Sequence, residues 1–289
     1  MILIVDSGSF KTDWTFLSST NKIQFQTIGL HPYFINSKKM HAKLSRIDHV
    51  RKYKNYVKKV IFYGAGCHSE KNKDIIFQIL KGIFSQAEIR INSDIMGAAK
   101  ALFNNHSGIA CILGTGSNCC FYDGENITNK TPSLGYILGD EGSGAYMGKL
   151  LLKKYLYSQL PENLENHLKN NYKLTQEKIL QAVYNEPFPN RYIAQFSKFI
   201  SEYKNEKAMS EIINNSIEEF FINHILKITE NHPNNIRFTG SVAWAFKDFI
   251  ISTNTFPHLD LNPVKNLLCH SSTIKPLNLF TSLVICSII

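Results

Sequence analysis

Two glycine-rich segments, each following a run of apolar residues, carry groups that could bind an anion. The first is Asp6-Ser7-Gly8-Ser9-Phe10-Lys11, after residues 2–5, and the second is Gly114-Thr115-Gly116-Ser117-Asn118, after residues 109–113. Glycine permits backbone conformations that other residues resist, so the turn N–H groups and hydroxyls could converge on one phosphate. Asp6 could hold Mg²⁺ together with phosphate oxygens, and Lys11 adds a positive charge nearby. Ordinary hairpin turns, one of them capped by Asp6, are the alternative.

Three further segments place polar groups at the ends of predicted elements. Asp94 follows a predicted strand and precedes a helix, where it could act as a general base toward a hydroxyl or cap the helix. Asp140 and Glu141, in the run from Gly139 to Gly144, could accept hydrogen bonds from sugar hydroxyls or complement a helix dipole. The segment from Thr239 to Ala243 could lie against a flat adenine ring or form a plain strand-to-helix turn.

Hydrophobic periodicity supplies the elements that position these segments. It predicts strands over 2–6, 12–18, 22–28, 57–63, 87–91, 109–113, 117–122 and 235–239, with a short one near Ile127. It predicts helices over 37–53, 70–84, 95–103, 242–251 and from 144 to about 158, and a helical region over 162–231 with breaks near 170, 187–189 and 204. Three meander strands followed by alternating helix and strand indicate a mixed α/β sheet. The second half repeats this opening plan, with a glycine turn between its first two strands.

Composition excludes several classes of protein. The chain has 289 residues and a net charge of +9, which could attract an anionic ligand such as a nucleotide or consist of solvated lysines. No recognisable nucleic-acid module, signal peptide or long apolar span is present, so we expect no nucleic-acid and no membrane partner. Six cysteines without a CxxC pattern favour a reduced, cytoplasmic protein, and no cluster has the spacing of a zinc site.

Taken in order, the five segments resemble the motifs of the sugar kinase–heat-shock protein–actin superfamily. Over residues 1–245 the chain is similar to the N-acetylglucosamine kinase branch, which is related to the BadF/BadG/BcrA/BcrD ATPases. Its most recognisable signature is Gly139-Asp140-Glu141-Gly142-Ser143. The resemblance implies an α/β fold with two ribonuclease H-like (actin-like ATPase) domains around a central nucleotide and sugar cleft. Those domains would comprise residues 1–106 and 107–289, the second with a helical insertion.

The resemblance also implies an activity, namely ATP-dependent phosphorylation of the 6-hydroxyl of an amino sugar. N-acetylglucosamine is the expected substrate, with N-acetylmuramic acid or glucosamine as near alternatives. Carried over by position, Asp94 would be the catalytic base, and Asp6 would act through Mg²⁺. The implied sugar-binding residues are His31, Ser117, Asn118, Gly135 and Asp140, and the implied ATP-binding residues are Asp6, Gly8, Ser9, Lys11, Thr115, Gly116, Gly240 and Ser241. A homodimer is also consistent with this family.

Three departures from the family pattern keep other functions open. Phe10 stands where such loops usually carry Thr, His31 stands where Asn usually precedes Pro, and residues 255–289 form an atypical tail with few charges. A catalytically impaired protein that senses a sugar or a nucleotide is therefore one alternative. An ATPase activator of a dehydratase is another, although no suitably placed cysteine pair stands out for its iron–sulfur cluster.

Overall fold

A computed structural model describes residues 1–33, 36–230, 232 and 235–253. This part of the chain divides into two compact units, residues 1–101 and residues 102–253. The predicted atypical tail over 255–289 lies outside the described residues. None of the helices within the described ranges has both the length and the apolar character needed to cross a membrane.

The first unit is built on a five-stranded mixed sheet in the order β3-β2-β1-β4-β5. Its strands are β1 Ile2–Ser7, β2 Lys11–Leu17, β3 Lys22–Ile28, β4 Lys59–Gly64 and β5 Glu88–Ser93. β1 pairs antiparallel with β2 and parallel with β4, which in turn runs parallel to β5. The carboxyl ends of β1, β4 and β5 therefore meet at one edge, and this edge carries the residues that follow each strand.

Helices cover the sheet of the first unit. They are α1 Ser37–Ser45, α2 Asp48–Tyr53, a 3₁₀ turn at Lys54–Tyr56, α3 Glu70–Ile83 and α4 Asp94–Phe103. The single helix predicted over 37–53 is wrong, because Ile47 adopts an extended conformation and starts a new helix. The side chains of Trp14, Phe16 and Phe62 are fully buried in the core of this unit.

The second unit repeats the plan with four strands in the order β8-β7-β6-β9. These are β6 Gly108–Leu113, β7 Ser117–Tyr122, β8 Ile127–Lys130 and β9 Ile236–Thr239. As in the first unit, three antiparallel meander strands are joined by a later strand parallel to the first. The repeat predicted from the order of strands and glycine turns is confirmed.

Helices make up most of the remaining second unit. They are α5 Gly135–Leu138, α6 Gly144–Leu156, α7 Glu162–Asn171, α8 Gln176–Tyr184, α9 Pro189–Ala194, α10 Ser197–Glu202, α11 Lys207–Phe220, a π-helical turn at Phe221–Ile225, α12 Leu226–Thr229, α13 Ser241–Ala245 and α14 Lys247–Ile251. The three predicted breaks are present, and a further one separates α9 from α10. The helix predicted over 242–251 is two short helices, because Phe246 leaves the helical conformation between them.

Candidate functional site

The first glycine-rich loop is the hairpin turn between β1 and β2, closed by a hydrogen bond from Gly8 N to Lys11 O at 3.0 Å. Ser9 is half-buried in this turn, and Gly8 is exposed. Phe10 is 63% exposed, so its ring lies outside the protein core. Lys11 forms an ion pair with Asp13 at 2.9 Å, which means that its charge is already partly compensated by a neighbouring carboxylate.

Two buried hydroxyls that the sequence reasoning missed brace this loop. Ser7 and Thr12 are register partners across β1 and β2, and their side-chain oxygens lie 2.8 Å apart. Leu30 N donates to both oxygens, at 2.8 Å and 3.1 Å. The pair therefore ties the turn to the segment that leads into His31. The sequence signal was the presence of two hydroxyl residues that flank the turn at matching positions.

Asp6 and Asp94 lie at the carboxyl-terminal edge of the first sheet. Asp6 is in register with Tyr63 on β4, which is in register with Asn92, two residues before Asp94. Burial, and then the negative charges of Asp13 and Asp94, raise the pKa of Asp6 to about 7, whereas Lys11 lowers it. The negative charges of Asp13 and Asp94 therefore act on a carboxyl group that burial already disfavours in its ionised form.

Asp94 lies at the start of α4, as the capping interpretation expects, and its role as a general base stays a prediction. Its Oδ1 accepts a hydrogen bond from Ile95 N at 2.8 Å, so the carboxylate satisfies one backbone donor at the start of α4. Its negative charge also contributes to the raised pKa of Asp6. Burial is the main cause that raises the pKa of the Cys67 thiol to about 12, and the charge of Asp94 is the second. The carboxylate therefore belongs to the same edge of the sheet as Asp6.

His31 lies against the turn that follows β4. Gly66 in this turn has a φ of +78°, and a Cβ at this position would lie 2.7 Å from His31 Cε1. A glycine is therefore required both for the backbone conformation and for the space that the imidazole occupies. The His31 ring also contacts Tyr33, whose hydroxyl lies 3.3 Å from His68 Nε2.

The second glycine-rich loop joins β6 to β7 and is docked on the start of α6. Gly144 N donates to Gly114 O at 2.8 Å, and Ala145 N donates to Thr115 O at 3.0 Å. Gly114 N donates to Gly116 O, whereas the amides of Thr115 and Gly116 have no protein acceptor within the described ranges. Two N–H groups therefore stay available for an external acceptor.

The sequence predicted that the two glycines of this loop adopt backbone conformations that other residues resist, and this prediction is wrong. Neither Gly114 nor Gly116 lies in the left-handed region. A Cβ at Gly116 would instead lie 2.9 Å from Asp140 Oδ2, so a larger residue there would displace the Asp140 carboxylate. The loop must let a carboxylate from another segment approach its backbone closely.

Asp140 and Ser117 form the contact between the second loop and the Gly139–Ser143 signature. Ser117 N donates to Asp140 Oδ1 at 3.3 Å. The Ser117 hydroxyl is buried and has no hydrogen-bond partner among the described residues. Next to it, Asn118 Oδ1 accepts from Cys119 N at 3.0 Å. A buried hydroxyl without a partner is costly, so it indicates a position where a ligand completes the hydrogen bonding.

Neither Asp140 nor Glu141 is the residue that caps α6. Ser143 is the N-cap of α6, and its side chain accepts from Tyr146 N. Asp140 has a φ of +62°, an uncommon conformation for a residue with a side chain. Glu141 instead contacts His224 and Asn223, at 3.3 Å each. The sequence reasoning did not identify His224 as part of this region.

Gly240 and Gly135 complete the predicted residues of the second unit. Gly240 has a φ of +111° and follows β9, and a Cβ there would lie 2.2 Å from Leu113 O at the end of β6. Ser241 is exposed at the start of α13. Gly135 begins α5 with a φ of +73° and open space around it.

Each unit thus gathers its own share of the predicted residues. The first unit holds the ones from the opening loop and the strand ends, namely Asp6, Gly8, Ser9, Lys11, His31 and Asp94. The second unit holds Thr115, Gly116, Ser117, Asn118, Gly135, Asp140, Gly240 and Ser241. Most of these residues lie at the ends of strands or on the turns that follow them, whereas Asp94 and Gly135 begin helices.

The chain is similar over nearly its full length to a solved protein. A provisionally named N-acetylglucosamine kinase from Porphyromonas gingivalis is 35% identical, with a TM-score of 0.83, and the likeness covers 94% of this chain and 98% of that one. The chain belongs to the N-acetylglucosamine kinase family. The family resemblance inferred from the five motifs is therefore confirmed.

Two further comparisons extend this result. An N-acetylmuramic acid/N-acetylglucosamine kinase from Clostridium acetobutylicum is 25% identical over 165 residues, which is 55% of this chain and 54% of that protein. The chain therefore matches about half the length of this curated relative. The MreB 5 protein of Spiroplasma citri, solved with AMPPNP, is 12% identical with a TM-score of 0.58 over 99% of this chain and 96% of that one. No protein-family model matches the chain.

The fold predicted from the sequence, an α/β protein of the actin-like ATPase class, is confirmed by these likenesses. The comparison with MreB 5 supports the fold alone.

Proposed function

We propose that this protein is an ATP-dependent kinase that phosphorylates the 6-hydroxyl of an amino sugar, with N-acetylglucosamine as the preferred substrate. Membership of the N-acetylglucosamine kinase family supports this proposal. The observation that carries it is the buried, unpartnered hydroxyl of Ser117 beside Asp140. A sugar hydroxyl placed there would satisfy a polar group that the protein itself leaves without a partner.

In the proposed reaction, the oxygen of the 6-hydroxyl attacks the γ-phosphorus of ATP while Asp94 accepts the hydroxyl proton. The bond from that phosphorus to the β–γ bridging oxygen breaks, and ADP leaves. Ser117, Asn118 and Asp140 would bind the sugar hydroxyls, with Gly135 and His31 as further sugar contacts. Such a reaction depends mainly on positioning and on neutralising charge rather than on covalent chemistry by the protein. Short polar loops held at strand ends can meet that requirement.

ATP binding is proposed for the glycine-rich turns. The free amides of Thr115 and Gly116 can donate to phosphate oxygens. Gly8, Ser9 and Lys11 would contact the phosphates from the first loop. Gly240 and Ser241 would lie against the adenosine.

The residues around Asp6 fit a divalent cation. The pKa of Asp6 is raised to about 7 by burial and by Asp13 and Asp94, so ionised Asp6 needs a positive charge beside it. We propose that Asp6 holds Mg²⁺, which would supply charge neutralisation to the phosphates when bound. Among the described residues, no group of three or more metal-binding side chains is close enough to form a cage. This agrees with a cation held partly by phosphate and water.

The test is a coupled assay of ADP release with N-acetylglucosamine, N-acetylmuramic acid and glucosamine, together with identification of the phosphorylated position. We expect turnover with N-acetylglucosamine and a 6-phosphate product. A protein that binds ATP but gives no turnover above background with any of these sugars would contradict the proposal.

Asp94→Asn tests the catalytic base directly. Because a positioned general base contributes about 10²–10⁴-fold to rate, we expect a loss of that size in kcat, with ATP binding unchanged. Asp74→Asn is the matched control, since it removes an exposed carboxylate from α3 of the same unit. Turnover retained in Asp94→Asn would remove Asp94 from this role.

A second candidate function is favoured by one observation, the exposed Phe10 ring in the first glycine-rich loop. A hydroxyl that would face phosphate is replaced there by a bulky group. A sensing protein would bind sugar and nucleotide without turnover. Activity that appears only in the double variant Phe10→Thr, His31→Asn would support sensing over catalysis.

A further inference from the structure

The segment from Thr131 to Glu141 contains Gly135 and Asp140, and both of its ends contact the same imidazole ring. His224 Nδ1 lies 2.5 Å from Thr131 Oγ1, and His224 Nε2 lies 3.3 Å from Glu141 Oε2. Thr131 and His224 are both buried. One side chain therefore joins the two ends of the segment on which two proposed sugar contacts lie.

A neutral His224 imidazole can form both hydrogen bonds, one to Thr131 and one to Glu141. A carboxylate only accepts, so Nε2 of His224 donates to Glu141, and Nδ1 then accepts from the Thr131 hydroxyl. Burial lowers the pKa of His224, although Glu141 acts in the opposite direction. Each polar atom of the imidazole thus has one partner, and each partner comes from one end of the segment.

The element that presents His224 is unusual. The residue lies in the π-helical turn Phe221–Ile225, which interrupts the helix between α11 and α12. The Phe220 ring stacks on the imidazole at 4.9 Å, and Asn223 Nδ2 donates to the other oxygen of Glu141 at 3.3 Å. Single π-helical turns interrupt the regular hydrogen bonding of an α-helix and occur frequently at functional sites.

Further hydrogen bonds connect the same helix to the residues just after Asp140. Gly142 N donates to Ser216 Oγ at 3.1 Å, and Tyr146 OH donates to Glu219 Oε2 at 2.6 Å. The carboxyl end of the segment is therefore fixed at several points. Its amino end directly follows the paired strand β8, where Thr131 adds the hydrogen bond to His224. Between these ends, Leu134, Ile137 and Leu138 are exposed and Tyr136 is only partly buried against the core, so few side chains of the segment are held by packing.

We propose that His224 is a positioning residue for sugar binding, whose imidazole holds residues 131–141 so that Gly135 and Asp140 keep the geometry that the sugar requires. This inference rests on the proposed kinase function. In this proposal His224 does not contact the sugar. Its effect passes through the two hydrogen bonds to Thr131 and Glu141.

The test compares three substitutions at one position. His224→Phe keeps the ring volume and removes both hydrogen bonds, and we expect the KM for the sugar to rise about 5–20-fold while the KM for ATP changes less than 2-fold. A glutamine amide can still donate to Glu141, and an asparagine amide can still bond to Thr131. His224→Gln and His224→Asn should therefore each recover part of the lost affinity. Equal changes in both KM values, or no change in either, would overturn the inference.

Amide hydrogen exchange of the sugar-free protein makes the test independent of catalysis. His224→Phe should exchange faster over residues 131–141 than the wild type, with the rest of the second unit unchanged. His167→Phe is the matched control, because it removes another partly buried imidazole, bonded to Tyr203 OH at 2.8 Å. Unchanged exchange over 131–141, or a uniform increase like that of the control, would overturn the inference. A wild type without turnover would contradict the proposed function instead.

Discussion

At the scale of single residues, the informative features are polar groups whose bonding is incomplete or unusual. The Ser117 hydroxyl is buried without a partner, and Asp140 adopts a left-handed conformation while its carboxylate contacts Ser117 N. Both features cost free energy in the free protein, and neither contributes to the core. Such costs are common where a ligand supplies the missing interaction.

Ser117→Ala should affect the stability of the fold and the affinity for the sugar in different ways. Removing a buried hydroxyl without a partner should leave the free energy of unfolding unchanged or raise it by about 1 kcal/mol. The same change should raise the KM for the sugar about 5–10-fold, since one hydrogen bond to the substrate is lost. Chemical denaturation and steady-state kinetics on the same variant measure the two effects.

The contrasting variant is Thr175→Ala, which removes the N-cap of α8. It should lower the free energy of unfolding by about 1 kcal/mol and leave the KM unchanged. If Ser117→Ala behaves like this cap variant, the hydroxyl serves the fold and not the sugar.

At the scale of elements, parallel strand ends decide where the loops meet. β6 and β9 run in parallel, so the loops after Leu113 and Thr239 leave from the same edge of the sheet. Gly240 allows this close approach, because a Cβ there would lie 2.2 Å from Leu113 O. Gly114, which follows β6, has no backbone or steric requirement of this kind, since the nearest atom to its Cβ position is 4.0 Å away.

Gly240→Ala should therefore be much more disruptive than Gly114→Ala. At Gly240 the added methyl group meets a backbone oxygen in a conformation that alanine disfavours, and we expect a loss of about 3 kcal/mol or more in the free energy of unfolding. Gly114→Ala should change it by less than about 1 kcal/mol. Urea denaturation of both variants makes the comparison, and equal losses would contradict this account of the strand ends.

At the scale of the whole molecule, two units of like topology each keep a separate hydrophobic core. The chain carries a net charge of +9, yet the edge of the first sheet concentrates carboxylates around Asp6. Because Asp6 is buried only in the folded protein, its pKa differs between the folded and the unfolded chain. The free energy of unfolding therefore depends on pH through the protonation of Asp6.

The raised pKa of Asp6 predicts a pH dependence of metal-free stability. Near pH 4 the folded protein keeps Asp6 protonated at little cost. Between about pH 4 and pH 7 the unfolded chain loses this proton first, so stability falls as pH rises. Asp6→Asn has no carboxyl group to ionise at this buried position. With EDTA present, its free energy of unfolding should exceed that of the wild type by about 2–4 kcal/mol at pH 8 and match it near pH 4.

Thermal or chemical unfolding at pH 4, 6 and 8 measures this difference. The control is Asp48→Asn, which removes a carboxylate whose side chain is 87% exposed, so no such divergence with pH is expected. A wild type that gains stability relative to Asp6→Asn as pH rises, without metal, would show that Asp6 is ionised in the folded state at no cost.

The sequence by itself determined the strands, the repeated plan and the family, because these depend on local signals. Apolar runs of five or six residues mark buried strands, and short glycine and hydroxyl motifs mark the turns that follow them. The five motifs in order were therefore sufficient to predict the actin-like ATPase fold and membership of the N-acetylglucosamine kinase family, which the comparisons confirm. The roles assigned to individual residues stay predictions.

Only the tertiary structure decided why particular residues stand in these loops. The reason for Gly116 is the approach of Asp140, and the bridge of His224 to Glu141 joins positions 83 residues apart. Likewise, the partnerless state of the Ser117 hydroxyl depends on which groups surround it after folding. Local propensity extends over about one element, whereas burial and hydrogen-bond pairing depend on distant segments that only the folded chain brings together.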